Sequence, residues 1–203
     1  MQIRWLGHAT FVITSLDKIK IITDPYETGG GINYKPINES ADIVTQSHDH
    51  GDHNNTRAIK NNPVILAKAG TQVSRGISIK AVSTFHDDKQ GSLRGQNLIF
   101  CFNIDGMSVC HLGDLGHTLN QQHLAEIGPV DILLIPVGGF FTINAREATE
   151  IVQKLNPRLV IPMHYRNPGV DLPIAGVDDF LKGKNNVRRL NSNEIEVIKG
   201  DLP

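Results

Sequence analysis

Between Gln46 and Asn55 the chain reads QSHDHGDHNN, which sets three imidazoles and two carboxylates, His48, Asp49, His50, Asp52 and His53, within a few consecutive positions. Imidazole and carboxylate suit zinc, and also manganese or iron. Residues two apart do not share a helix face, so His48 and His50 do not lie on a regular helix. They follow the run ADIVTQS, which reads as a strand, and Gly51 allows a tight backbone path after it. A loop at a strand end can turn His48 and His50 toward one point and Asp52 and His53 toward another. A polar solvent-facing loop is the duller reading, and H-x-H-x-D-H spacing argues against it.

The elements around this segment are mostly strands. QIRWL, TFVITS, IKIITD, ADIVTQS, PVILA, ISIKAVST, NLIFCFNI, MSVCHLGD, DILLIP and RLVIPMH are short apolar or β-branched runs. The near-continuous hydrophobicity of the later ones predicts burial on both faces. Helices are expected at NNTRAIKN, TLNQQHLAEIG, VDDFLKG and most clearly NAREATEIVQKLN, where Asn144 and Glu147 form a capping-box start and Asn156-Pro157 a stop. Strand runs followed by strand–helix alternation predict sheet layers covered by helices. The glycine-rich piece ETGGGINYKPINES has no lysine after its glycines and opens no helix, which excludes a phosphate-binding P-loop.

The ordered motifs resemble those of metallo-β-lactamase-fold proteins. SHDHGDH resembles their H-x-H-x-D-H motif. WLGHATFVI resembles the N-terminal motif of the branch holding ascorbate-phosphate lactonase-like hydrolases and N-acyl-phosphatidylethanolamine phospholipase D. ITDP, HLGDLG, VGGFFTINAREA and IPMHY resemble that branch's later motifs in the same order. The resemblance implies a four-layer αββα sandwich of two mixed sheets with helices outside, here one domain over residues 1–203. It implies two divalent metal ions, most readily zinc, with manganese or iron as alternatives. His48, His50 and His86 would bind the first, Asp52, His53 and His164 the second, and Asp114 would bridge them. His86, Asp114 and His164 each stand where an apolar run gives out into a loop, a place both rigid and open.

Other polar residues compete for these roles. His111 and His117 flank Asp114 and rival His86, which the resemblance favours. Alternation along a strand puts His111 and Asp114, three apart, on opposite faces. Asp24 in ITDP is expected to support the ligand loop and orient a histidine, or else to be a turn aspartate before proline. His8 either lines the site or is structural, and His123 is expected to be exposed on a polar helix.

A metal-activated water hydrolyses without a protein nucleophile, and the chain has no G-x-S-x-G elbow. The expected enzyme is a hydrolase that uses a dinuclear-metal-bound hydroxide on a small ester, lactone or phosphodiester. Asp52 is expected to hold the attacking water and move its proton, with Asp114 as the second catalytic carboxylate. Arg94, Arg146 and Arg166 are candidates for a phosphate clamp, though surface arginine is the default. The loop from Glu27 to Glu39 is expected to line the pocket, and Phe140-Phe141 either to line it with that loop or to belong to the core.

Three alternatives remain from the sequence. A non-hydrolytic metal or redox protein on the same fold is disfavoured by histidine at position 50, where the resembling diiron proteins carry glutamate. A small metal-dependent nuclease is disfavoured by the short interval from Asp114 to His164 and by a net charge of −1. A catalytically idle scaffold is disfavoured by the complete ligand set.

The chain of 203 residues is long enough for one sizeable core. Arg188-Arg189, Lys182 and Lys184 read as a solvated face. No apolar run reaches the length of a membrane-spanning helix, and the N-terminus lacks a signal-peptide pattern. With two cysteines only, a cytoplasmic protein is expected, with a small-molecule substrate and no nucleic-acid or membrane partner. Asp105-Gly106 predicts a hairpin turn that sets Cys101 opposite Cys110, both as free thiols.

Overall fold

The computed structural model describes Met1 to Pro203. β1 (Gln2–Gly7) and β2 (Thr10–Thr14) pair antiparallel, and β3 (Lys20–Thr23) continues the meander. β4 (Ile43–Thr45) and β5 (Val64–Leu66) then add in parallel, and β12 (Glu194–Glu196) closes the other edge beside β1. The second sheet repeats the plan. β6 (Gly70–Ser74), β7 (Ile77–Phe85), β8 (Gln96–Ile104) and β9 (Met107–His111) form an antiparallel meander. β10 (Ile132–Pro136) and β11 (Leu159–Met163) extend it in parallel. Each sheet has 6 strands, ordered β12-β1-β2-β3-β4-β5 and β11-β10-β9-β8-β7-β6.

Alternation along the strands builds the layers. Phe11, Ile13, Ile21 and Ile43 of the first sheet meet Ile79, Phe100, Phe102, Val109 and Leu134 of the second in the core between the sheets. The intervening residues Ile99, Cys101, Cys110, Leu133 and Ile135 face the helices. The two faces of β10 are thus both buried, as its unbroken ILLIP run implies.

α1 (Gln121–Ile127), α2 (Ala145–Leu155) and α3 (Asp178–Leu181) supply Ile127, Ala148, Ile151 and Phe180 to that outer core. α2 starts as expected: Asn144 accepts from the Glu147 amide, and the Glu147 carboxylate accepts from the Asn144 amide. The αββα plan holds with one asymmetry. The outer face of the first sheet, Val12, Ile22 and Val44, is covered by Ile37, Ala41 and Ile59 rather than by an α-helix. The expected helix at NNTRAIKN shrinks to a 3-10 turn, Thr56–Ala58. Ile59 ends it by turning extended, with φ of -86° and ψ of 124°, and Lys60 then bridges Ser40.

The predicted turn at Asp105-Gly106 forms, with both residues at positive φ, and Cys101 pairs in register with Cys110. Both cysteines are buried free thiols. No helix is long and apolar enough to cross a membrane.

Candidate metal centre

The sheet topology brings one set of strand ends together. β1 and β3 each pair antiparallel with β2, so they run the same way, and β4 runs with β3. Their C-terminal ends lead into His8, Asp24 and Ser47-His48. In the second sheet β7, β9 and β11 share one direction by the same reasoning, and their ends lead into His86, Asp114 and His164. These six ends meet at one edge of the sandwich. The chain must turn sharply there. His8, Asp24 and His164 have φ of 51°, 38° and 50°, left-handed conformations that cost about 1–3 kcal/mol each and persist only where the surroundings fix them.

Asp114 lies at the centre. His53 Nε2 is 3.2 Å from its Oδ1, and His164 Nε2, His86 Nε2 and His48 Nε2 are 3.2, 3.3 and 3.9 Å from its Oδ2. These approaches are not all hydrogen bonds: His48 Nε2, His53 Nε2 and Asp114 Oδ1 are buried without a hydrogen-bond partner. Potential ligand atoms of His48, His50 and His86 lie within 4.8 Å of one another, as do those of His8, Asp52, His53 and His164. The seven sequence-predicted residues therefore come together as two groups with Asp114 between them, and His8 adjoins the second group.

The hydrogen bonds below the site fix two of the rings. Asp24 is fully buried, and its Oδ1 accepts the Ser47 amide. Its Oδ2 accepts the Ser47 hydroxyl and His53 Nδ1. A hydroxyl has one proton, so Ser47 Oγ, having donated it to Asp24, accepts from His48 Nδ1 at 2.9 Å. Both rings are thus held as Nδ1–H tautomers when neutral. Their bare Nε2 lone pairs then point at the Asp114 carboxylate, an arrangement that is repulsive without a cation between them. This donor set fits divalent metal. The Nδ1 atoms of His86 and His164 have no partner, so nothing fixes those tautomers in the same way.

Electrostatics give the same sign. Burial disfavours a charged His53, but the Asp114 and Asp52 carboxylates outweigh it and hold its pKa well above the ordinary value. Without metal, a proton takes the cation's place. Burial pushes the Asp114 carboxyl up, yet His164 and His53 hold it well below the usual carboxylate range. Burial, helped by His164, lowers His8 to about 4. His8 is therefore a neutral ring near pH 7, and its Nε2 lies 3.1 Å from Asp52 Oδ2.

The site opens into a cleft of about 640 Å³. His50 and Gly51 are exposed at its floor and Asp52 is 28% exposed, while His48, His53, His86, Asp114 and His164 are buried. Glu27, Thr28, Gly29, Gly30 and Ile32 of the expected loop line the wall, with Arg94, Phe141 and Leu172.

Several expectations need correction. Phe140 does not line the cleft; it is 64% exposed. Of the three clamp candidates Arg94 alone lines the cleft, and the other two take the default surface role. Arg146 is 84% exposed and pairs with Glu150 one turn along α2, and Arg166 pairs through its backbone with Gly176 outside the cleft. His111 points away, as alternation predicts: its Nε2 lies 2.8 Å from the Ala9 carbonyl. His117 accepts from the Phe85 amide instead. His123 is half-buried and caps α1 reciprocally with Asn120.

Sequence reasoning missed Asn97. Its Oδ1 accepts the Asp114 amide, and its Nδ2 donates to Thr84 Oγ1 and the Leu112 carbonyl. A Cβ on Gly113, whose φ is 56°, would sit 2.3 Å from Asn97 Oδ1, so glycine is required for this contact. The only signal was a polar residue entering the apolar run NLIFCFNI. Asp87 was also missed as a support. Its carboxylate accepts the amides of Lys89, Gly91, Leu93 and Arg94.

Comparison with known proteins bears on what this centre does. Residues 2–164 match the family model described as a β-lactamase superfamily domain. The chain is 31% identical to a UPF0173 metal-dependent hydrolase of Carboxydothermus hydrogenoformans, covering 98% of this chain and 100% of that one. It is 32% identical to another from Thermococcus onnurineus, covering 81% and 84%. The crystal structure of a Thermotoga maritima protein, a candidate Zn-dependent hydrolase of the metallo-β-lactamase superfamily, superposes with a TM-score of 0.83 at 38% identity, over 98% of this chain and 92% of that one. With a His/Asp cluster able to bind metal at the meeting of its strand ends, the chain belongs to the metallo-β-lactamase superfamily and, within it, to the UPF0173 metal-dependent hydrolases.

Proposed function

We propose that the centre holds two divalent ions, zinc in preference to manganese or iron, and hydrolyses a small ester, lactone or phosphodiester. His48, His50 and His86 would hold one ion, Asp52, His53 and His164 the other, and Asp114 both. The observation that carries this reading is the Asp114 carboxylate with four imidazole Nε2 atoms between 3.2 and 3.9 Å from it. When bound, such ions supply an acidified water and polarise the scissile oxygen.

The chain's own residues do the rest. Asp24 and Ser47 orient His53 and His48. Asp52 is the least buried carboxylate of the cluster and lines the cleft. The neutral His8 ring donates to its Oδ2 and leaves Oδ1 to accept a proton from the attacking water. A cleft of about 640 Å³ suits a small molecule. Protein purified without chelator should cleave p-nitrophenyl esters or bis-p-nitrophenyl phosphate, lose that activity on thorough metal removal and regain it with zinc. Hydrolysis that survives metal removal would point to another mechanism.

A further inference from the structure

Arg94 is the one arginine or lysine that lines the cleft. Its guanidinium carbon lies 5.5 Å from the centroid of the Phe141 ring, within cation–π range. Asp52 and Asp114 line the same cleft, yet Arg94 makes an ion pair with neither. Elsewhere Arg4, Arg146 and Arg189 are paired with Glu39, Glu150 and Asp178. The Arg94 charge is half-buried and uncommitted, and its fork of donors matches a planar or tetrahedral anion.

The backbone that carries Arg94 is fixed to the metal centre. Asp87 Oδ1 accepts the Lys89 and Gly91 amides at 2.8 and 2.9 Å, and Oδ2 accepts those of Leu93 and Arg94 at 3.0 and 2.7 Å. The His86 amide donates to the Gly95 carbonyl at 3.0 Å and the Gly95 amide to the Gly91 carbonyl at 2.9 Å. The loop that leaves His86 therefore closes back on it, which sets the Arg94 backbone relative to that ring, and the guanidinium is placed beyond that by its contact with Phe141. A preorganised cation of this kind costs little entropy when it meets its ligand.

We propose that Arg94, seated on Phe141, is a specificity-determining residue that binds an anionic group of the substrate, a carboxylate, sulfonate or phosphate separate from the scissile bond. This rests on the reading of the cleft as the substrate site. The apolar lining of Ile32, Phe141 and Leu172 receives the carbon body between that anion and the reacting group.

Benzenesulfonate is a suitable probe, because it pairs an aryl body with an anion that is a poor metal ligand. It is titrated calorimetrically into metal-loaded wild-type protein and into Arg94→Gln and Arg94→Lys. Saturable binding is expected for the wild type. It should weaken about tenfold or more in Arg94→Gln, as loss of a hydrogen bond to a charged group implies, and by less in Arg94→Lys. The neutral isostere methyl phenyl sulfone should lose much less than the anion does. Absence of binding to the wild type, affinity within twofold in Arg94→Gln, or equal weakening of anion and sulfone would overturn the proposal. The titration needs no turnover, so a failure to hydrolyse test esters would bring down the functional reading while Arg94 is still judged by binding.

Discussion

Asp24 and Ser47 are joined twice: Asp24 Oδ1 accepts the Ser47 amide at 2.7 Å, and Oδ2 accepts its hydroxyl at 2.5 Å. The first bond ties the end of β3 to the loop after β4. The second uses the only proton of Ser47 and makes its oxygen the acceptor for His48. One buried carboxylate thereby sets the tautomers of His48 and His53 together.

Asp24→Asn should therefore weaken metal binding by about 10- to 100-fold while the fold is kept. The amide presents a donor where His53 Nδ1–H needs an acceptor. Competition with a chromophoric chelator measures the change. Affinity within threefold of wild type would mean that the rings need no such support.

The ligand assignment is tested by a pair of histidines. His111 is fully buried, lies against Phe11 and bonds the Ala9 carbonyl between the sheets. His111→Ala should lose about 1–3 kcal/mol of stability, the cost of leaving a buried acceptor unpaired, and keep its metal content. His86→Ala should lose metal from the first position. If His111→Ala loses a metal and His86→Ala does not, the first set is wrongly drawn.

Metal binding should release protons. In metal-free protein the Asp114 and Asp52 carboxylates overcome burial and keep His53 protonated above the ordinary histidine pKa. A metal must displace that proton. Affinity then rises with pH up to the raised pKa and levels off beyond it. Calorimetry in two buffers of different ionisation enthalpy should give a release of about one proton per chain or more near neutrality. No release would contradict a protonated His53.

Cys101 and Cys110 have their sulfurs 3.4 Å apart on the helix-facing side of the second sheet. Both should resist alkylation in the native protein and label fully in denaturant without reductant. Mass spectrometry distinguishes this from a two-dalton deficit with no labelling, which would reveal a disulfide.

The site was legible where residue type and local spacing carried the chemistry. His48, His50, Asp52 and His53 fall in one short segment, and His86, Asp114 and His164 each follow a recognisable apolar run. Supports that act across the chain were not legible. Asn97 reaches Asp114 from a neighbouring strand, and Asp87 acts through backbone amides of the loop after it, which no residue type marks. Sequence could not separate Arg94 from Arg146 and Arg166, since only the folded loop brings one of them to the cleft. β6 and β12 were missed because both are polar edge strands, defined by pairing with β7 and β1 rather than by hydrophobic pattern. The runs buried on both faces, such as NLIFCFNI and DILLIP, read correctly because burial leaves little room for polar residues.

The central claim is that Asp114 holds two metals in common. Elemental analysis of wild-type protein and Asp114→Ala, purified without chelator after metal-supplemented growth, tests it most directly. About two divalent ions per chain are expected in the wild type, from two sets of three protein ligands and a shared carboxylate, and one or fewer in Asp114→Ala. Less than half an equivalent in the wild type, or two equivalents undiminished in Asp114→Ala, would contradict it.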